Sequence, residues 1–173
     1  MWSLVPLSGS SHSMIRAWKD GRRRDLDPFF DDAMFREAAG LAGILGEADV
    51  VVPVPSHPHS VRARGVDLTA MLARAAARGL GVTGGEVQVE RRLVNRGRES
   101  RSLAASERWR NAATGLRLGL GRFSAAVVVL VDDVVTTGAS LARASLLLEE
   151  GGSVAAGALT LAATPPGTGT SVL

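Results

Sequence analysis

Apolar residues recur along this chain at two different periods, and the alternation between those periods predicts the architecture. "DVVVPVP" (49–55) is an unbroken β-branched run closed by prolines, the pattern of a strand buried on both faces. "AAVVVLVDD" (125–133) and "SVAAGALTLAAT" (153–164) repeat that pattern; "EVQVE" (86–90) and Leu116 to Leu118 are shorter and weaker versions. Helical spacing fills the intervals. Phe30, Met34, Ala38, Leu41 and Leu45 follow an Asp27-Pro28 start, with the acid as N-cap and the proline in the first turn, and Gly46 closes the helix. Leu68, Met71, Leu72, Ala75 and Ala76 mark a second helix, stopped at Gly79 or Gly81. A third runs from Gly138 to Glu150, with Leu141, Ala144 and Leu148 on one face, and a short one is expected over about 103–112.

Strands alternating with helices imply βαβ units: an α/β fold with a mostly parallel twisted sheet and helices on both faces. Residues 1–13 show neither period and are expected to be an irregular N-terminal segment ahead of a single domain, 14–173. Residues 14–26 read as a short amphipathic stretch ending in a basic loop, and the segment between 56 and 67 as a polar loop. The Arg-rich 91–102 segment lacks apolar periodicity and is expected to be an exposed, mobile loop.

Composition narrows the classes further. No apolar run reaches the roughly 18 residues that cross a bilayer, and the start lacks a signal-peptide pattern, so a cytoplasmic protein without membrane association is expected. Cysteine is absent, which excludes disulfides and thiolate metal sites. The formal net charge is +3, and Lys19 is the sole lysine beside 19 arginines. An Arg-for-Lys bias of genomic origin raises the pI by itself, so the pI is weak support for nucleic-acid binding. His57 and His59, with only His12 besides, are too few for a metal site and are expected to be exposed loop residues.

The chemistry concentrates in "VVVLVDDVVTTGAS" (127–140). Residues 134–140 are expected to link strand to helix. Free N–H groups at a helix start stabilise a phosphate, Gly138 lets the backbone approach it, and Thr136, Thr137 and Ser140 add hydroxyl donors. Asp132 and Asp133 would repel that phosphate, so the two halves must hold different parts of one ligand. A phosphorylated sugar satisfies both, with its diol at the acids; magnesium is the metal that suits carboxylates shared with substrate phosphates. The same residues also suit an ordinary strand–helix junction with capping chemistry.

The stretch resembles the signature of type I phosphoribosyltransferases, the segment that binds 5-phosphoribosyl 1-pyrophosphate (PRPP). "VVPVPSHPHSVRARG", "ERRLVNRGRESRSLAASERWRN" and "IRAWKDGRRRDL" are similar to segments of the ComF family, and together the matches cover about residues 14–163. The resemblance implies a catalytic pair, Asp132 and Asp133, that holds the ribose hydroxyls. It implies a PRPP-binding segment of Val134, Val135, Thr136, Thr137, Gly138, Ala139 and Ser140 around the 5-phosphate. A pyrophosphate loop with Ser56, Arg62 and Arg64 would work with magnesium, and a flexible loop with Arg96, Arg98 and Arg101 would close over the site. Val66, Asp67 and Leu68 stand where relatives carry an Asn-Gln pair after Arg-Gly, and Ser100 stands where a Gln is expected. The C-terminal "LTLAATPPGTGTSVL" offers no aromatic or charged group to read a nucleobase. Three classes follow: a phosphoribosyltransferase with an unspecified acceptor, a non-catalytic PRPP-binding or competence (DNA-uptake) accessory protein, and a DNA-binding protein on the same fold.

Overall fold

The computed structural model describes residues 1–96, 115–120 and 124–165. Five strands form one parallel sheet: β1 (Trp2–Pro6), β2 (Val50–Pro53), β3 (Gln88–Val89), β6 (Val127–Val135) and β7 (Val154–Ala163), in the order β1-β7-β6-β2-β3. A separate antiparallel pair, β4 (Leu93–Asn95) and β5 (Leu116–Leu118), joins Leu93 to Leu118 and Asn95 to Leu116. The helices are α1 (Gly9–Lys19), α2 (Asp27–Gly40), α3 (Ala42–Leu45), α4 (Pro58–Arg64), α5 (Leu68–Leu80) and α6 (Ala139–Glu150). Among the described residues no helix is long and apolar enough to cross a membrane.

Alternate residues of β2 and β6 feed two cores. Val51, Val129 and Val131 pack with Trp18, Met34, Leu68 and Leu72 from α1, α2 and α5. Val50, Val52, Val128 and Leu130 pack on the other side with Leu141, Ala144 and Leu148 of α6 and with Leu93 and Leu116. This double burial is why the central strands read as continuous apolar runs.

The first core requires α2 and α5 to approach closely, and Gly79 permits it. A Cβ there would meet the Phe35 carbonyl oxygen and would stand 2.7 Å from the Ala38 Cβ. Trp18, fully buried, stacks at 4.3 Å on Phe30 and donates its indole N–H to Asp27 at 2.7 Å. Arg24 also pairs with Asp27. The Asp27 carboxylate is therefore engaged by tertiary partners, and Leu26, not Asp27, holds the N-cap position of α2.

Several expectations change in the structure. Residues 1–13 are not irregular: β1 pairs with β7 from Trp2↔Leu159 to Pro6↔Ala163, and α1 starts at Gly9. The helix expected from Asp27 through Gly46 breaks at Leu41, whose φ of −98° and ψ of 0° separate α2 from α3. The 56–67 polar loop contains α4, which buries no residue and so left no apolar period. Residues 91–96 are not simply exposed. Arg92 is 2% exposed, bonded to Glu90 (2.8 Å), to the Ser124 carbonyl (2.9 Å) and to the Ser153 hydroxyl (2.6 Å), while β4 packs into the second core. The helix expected over 103–112 and the rest of the Arg-rich segment lie outside the described residues.

Filling the Gly79 gap tests this packing. Gly79→Ala gains roughly 1 kcal/mol of helix propensity, but it forces α2 away from α5, and overpacking typically costs about 1–3 kcal/mol. A lower urea midpoint than wild type is expected; an equal or higher one contradicts the close approach.

Candidate functional site

β2 and β6 run side by side only as far as Pro53↔Val131, after which Val54 donates to the Val131 carbonyl at 2.8 Å. β6 continues four residues further, beside β7 alone. The chain leaves β2 toward α5 and β3 on one side and leaves β6 toward α6 and β7 on the other. This is the topological switch point, where a crevice opens beyond the carboxyl ends of the strands. Asp132 and Asp133 lie on the part of β6 that β2 no longer covers.

The strand is irregular there. Strict alternation from Val129 and Val131 would turn Val135 toward the first core, yet Val134 faces that core and Val135 faces the second. The two carboxylates bond locally: Asp132 accepts from the Asp133 N–H at 2.8 Å, and Asp133 from the Val134 N–H at 2.7 Å. Asp133 is buried, and its Oδ2 lies 2.6 Å from the Nζ of Lys19, the last residue of α1. Burial, reinforced by the neighbouring Asp133 charge, pushes the Asp132 carboxyl up to about 8; the Asp133 N–H and Lys19 pull the other way. The acid pair is therefore not two bare charges: Asp132 holds its proton more tightly than a free carboxyl does, and Lys19 offsets Asp133.

Val134 and Val135, expected in the linking turn, are the last residues of β6. The turn is Thr136-Thr137-Gly138, with Gly138 at φ +75° in the N-cap position of α6. That left-handed conformation favours glycine. Asp132, Val134 to Val135 and the turn through Leu141 line a cup of about 20 Å³. A cavity of that size holds about one water, so a phosphate would rest in its mouth with one oxygen inside. The Thr136 hydroxyl is buried and has no partner among the described residues. Ala139 N–H reaches Thr137 Oγ1 at 3.4 Å, and Ser140 is half-buried beside it.

The predicted pyrophosphate residues follow β2. Ser56 is half-buried in the segment before α4, Arg62 is exposed on α4, and Arg64 is half-buried, its Nη1 enclosed and without a hydrogen-bond partner among the described residues. His57 is the N-cap of α4, its ring accepting the His59 N–H at 3.2 Å, which corrects the expectation of a plain loop histidine. Among the described residues no group of three or more His, Asp or Glu is arranged to hold a metal ion. Asn95 donates to the Pro55 carbonyl at 3.4 Å, bringing the end of β4 to the β2 loop; the next residue, Arg96, is exposed, and its N–H bonds Gly115. Arg98 and Arg101 lie outside the described residues.

A larger groove, of about 1230 Å³, lies at the opposite end of the sheet, between the end of α5 and the 81–89 segment. Its Arg78 is already paired with Asp31 at 2.5 Å. No acid pair or anion cradle lines it, so volume alone does not make it the site.

Sequence reasoning missed the contact of Lys19 with Asp133. The available signal was compositional: one lysine in a chain whose other basic residues are all arginine. It also missed Thr160, fully buried, its hydroxyl without a partner among the described residues, in register with Asp132 on the neighbouring strand.

No family model matches the sequence, and no curated protein matches it. Among solved structures, the chain is similar to one described as the allosteric regulatory enzyme of purine biosynthesis. The identity is 20% over 74% of this chain and 25% of that one, at a TM-score of 0.42. It is also similar to glutamine PRPP amidotransferase from B. subtilis complexed with ADP and GMP: 22% identity, 74% of this chain, 26% of that one, TM-score 0.41. This chain spans about a quarter of each. Overlap this loose assigns neither family nor activity, and the fold class rests on the chain's own sheet order.

The raised Asp132 carboxyl sets a pH dependence of stability. Unfolded, the group ionises near 3.8; folded, it keeps its proton to about 8. Folding thus takes up a proton across that window, and Asp132 makes the protein lose stability as pH rises through it. Urea unfolding at pH 5 and pH 8 should show wild type losing about 1–3 kcal/mol more than Asp132→Asn between the two. Parallel slopes would remove the burial effect.

Proposed function

We propose that this chain is a phosphoribosyltransferase-like protein of the ComF family that binds PRPP. The carrying observation is that the acid pair and the anion-receptive turn sit on one strand end, at the switch point, next to the strand that leads into the basic α4 segment. In this reading the 5-phosphate rests on the Thr136-Thr137-Gly138 turn, Ala139, Ser140 and the free N–H groups of α6. The ribose hydroxyls meet Asp132 and Asp133. A protonated carboxyl both donates and accepts, and a carboxylate accepts, so the pair suits a diol without opposing the phosphate.

Pyrophosphate would lie toward Ser56, Arg62 and Arg64, with Arg96, the exposed residue just past β4, close in sequence to the contact of Asn95 with the β2 loop. The enclosed Nη1 of Arg64, without a partner among the described residues, supports that direction, because an orphaned guanidinium nitrogen is costly unless an anion meets it. Magnesium enters as part of the substrate, neutralising pyrophosphate. The described residues supply no cage of their own for it.

If transfer occurs, an acceptor lone pair bonds to the anomeric carbon as the carbon–oxygen bond to pyrophosphate breaks, and pyrophosphate departs with that electron pair. The transition state is cationic at the sugar, so positioning and a nearby carboxylate contribute more than a strong base. The second reading, a non-catalytic PRPP-binding or competence accessory protein, is favoured by Asp67. Standing where relatives carry an amide pair, it is committed to structure: it caps α5 through the Ala70 N–H (3.2 Å) and accepts from Thr69 (3.0 Å).

Calorimetric titration with PRPP and magnesium tests the common claim. Wild type should bind, and Asp132→Ala with Asp133→Ala should weaken binding about a hundredfold, the worth of one neutral and one charge-assisted hydrogen bond. No binding, or binding unchanged in the double variant, removes both readings. Pyrophosphate release across a panel of bases and amines then separates transferase from binder.

The orphaned hydroxyl offers a cleaner probe. Thr136→Val keeps the shape and removes an unsatisfied group, so stability should hold or rise slightly while ribose 5-phosphate binding falls about tenfold. Loss of stability with binding intact would make Thr136 structural only.

A further inference from the structure

Two adjacent carboxylates beside an anion cradle are unfavourable unless something offsets their charge. Lys19 lies 2.6 Å from Asp133 and three-quarters buried, while Asp133 is 8% exposed. It does not come from the strands and turn that form the site. It is carried in by α1, whose Ile15 and Trp18 are locked into the first core. An ammonium offers three donors, and the Asp133 carboxylate takes one of Lys19's.

We infer that Lys19 is a positioning residue of the ligand site, acting through Asp133. It fixes that carboxylate as an oriented acceptor for a ligand hydroxyl and cancels one of the two acidic charges that would otherwise repel a phosphorylated sugar. This rests on the PRPP reading for the identity of the ligand. The pairing of Lys19 with the acid pair stands without it. The α1 helix is then part of the binding machinery, although it contributes nothing to the phosphate turn.

A ligand that must be both anionic and hydroxyl-bearing explains the arrangement. Without the lysine, Asp133 would be a buried, uncompensated charge, which the fold would relieve by taking up a proton or by opening. Either response removes the acceptor. With it, the carboxylate stays aimed while the phosphate approaches a nearly neutral surface.

The experiment is a mutant cycle read by titration with PRPP and magnesium, with thermal unfolding recorded for each variant. Lys19→Met should weaken binding about tenfold, and Lys19→Arg, which keeps the charge, should stay within about threefold of wild type. In the Asp133→Asn background, Lys19→Met should cost nothing further, because its partner is gone. If Lys19→Met does not fold, the double variant, which leaves no buried charge unpaired, is compared with Asp133→Asn alone. Equal affinities support the inference, and a further loss overturns it. Wild-type affinity in Lys19→Met, or the same loss with and without Asp133, also overturns it.

Failure of the PRPP reading is distinguishable, because wild type itself would then not bind. The sole lysine provides the readout in that case: ¹⁵N-lysine labelling gives a single ζ resonance. Asp133→Asn should shift that resonance in the ligand-free protein; an unmoved resonance overturns the pairing.

Discussion

The fold depends on burying β6 on both faces. Nine residues that begin Val-Val-Val-Leu-Val cannot leave either side in water, so helices must cover both. One cover, α5, is reached from β2, and the other, α6, from β6 itself, and the two connections travel in opposite directions along the sheet. The strand ends therefore part between β2 and β6. The crevice is a consequence of satisfying two cores with one sheet, and it exists whatever occupies it.

What fills that crevice chemically is set by how β6 ends. The strand outlasts its β2 partner, so its last residues have neighbours on one side only, and their polar groups are satisfied locally. Two acids at this point, one of them almost fully enclosed, are unfavourable for stability taken alone. The structure answers with two different devices: Lys19 pairs Asp133, and Asp132 retains a proton. Each device lowers the negative charge without removing a hydrogen-bonding oxygen.

Those parts of the chain with a strong period were legible. β2, β6, β7, α5 and α6 announce themselves through apolar runs or helical spacing, and the strand–acid–turn–helix string falls at the end of β6, at the switch point. Other elements had no such signal. α4 buries nothing, so it reads as a polar loop. β1 is a half-buried edge strand followed by a Ser-rich helix start, where the Ser11 hydroxyl accepts the Ser8 N–H at 3.0 Å in place of any apolar marker. Arg92 is hidden in a cluster of arginines, and its burial depends on Glu90, Ser124 and Ser153, which no local pattern connects. Asp27 looked like a cap because its sequence context suits one; the indole of Trp18 competed for the same carboxylate and won.

Lys19 belongs to the same class of long-range facts, and it changes what the first residues of the chain are for. β1 docks on β7 with Pro6 opposite Ala163, and Leu7 donates to the Ala163 carbonyl at 2.7 Å. That anchor fixes where α1 begins, and eleven helical residues later its last side chain reaches Asp133. The helix spans roughly 16 Å at 1.5 Å per residue, and as a rigid element it carries a shift of its anchored start through to the ammonium at its end. Edge-strand pairing at one side of the sheet is thereby mechanically joined to the charge state of the acid pair at its centre. The docking of β1 thus helps to set where the lysine meets the acid pair.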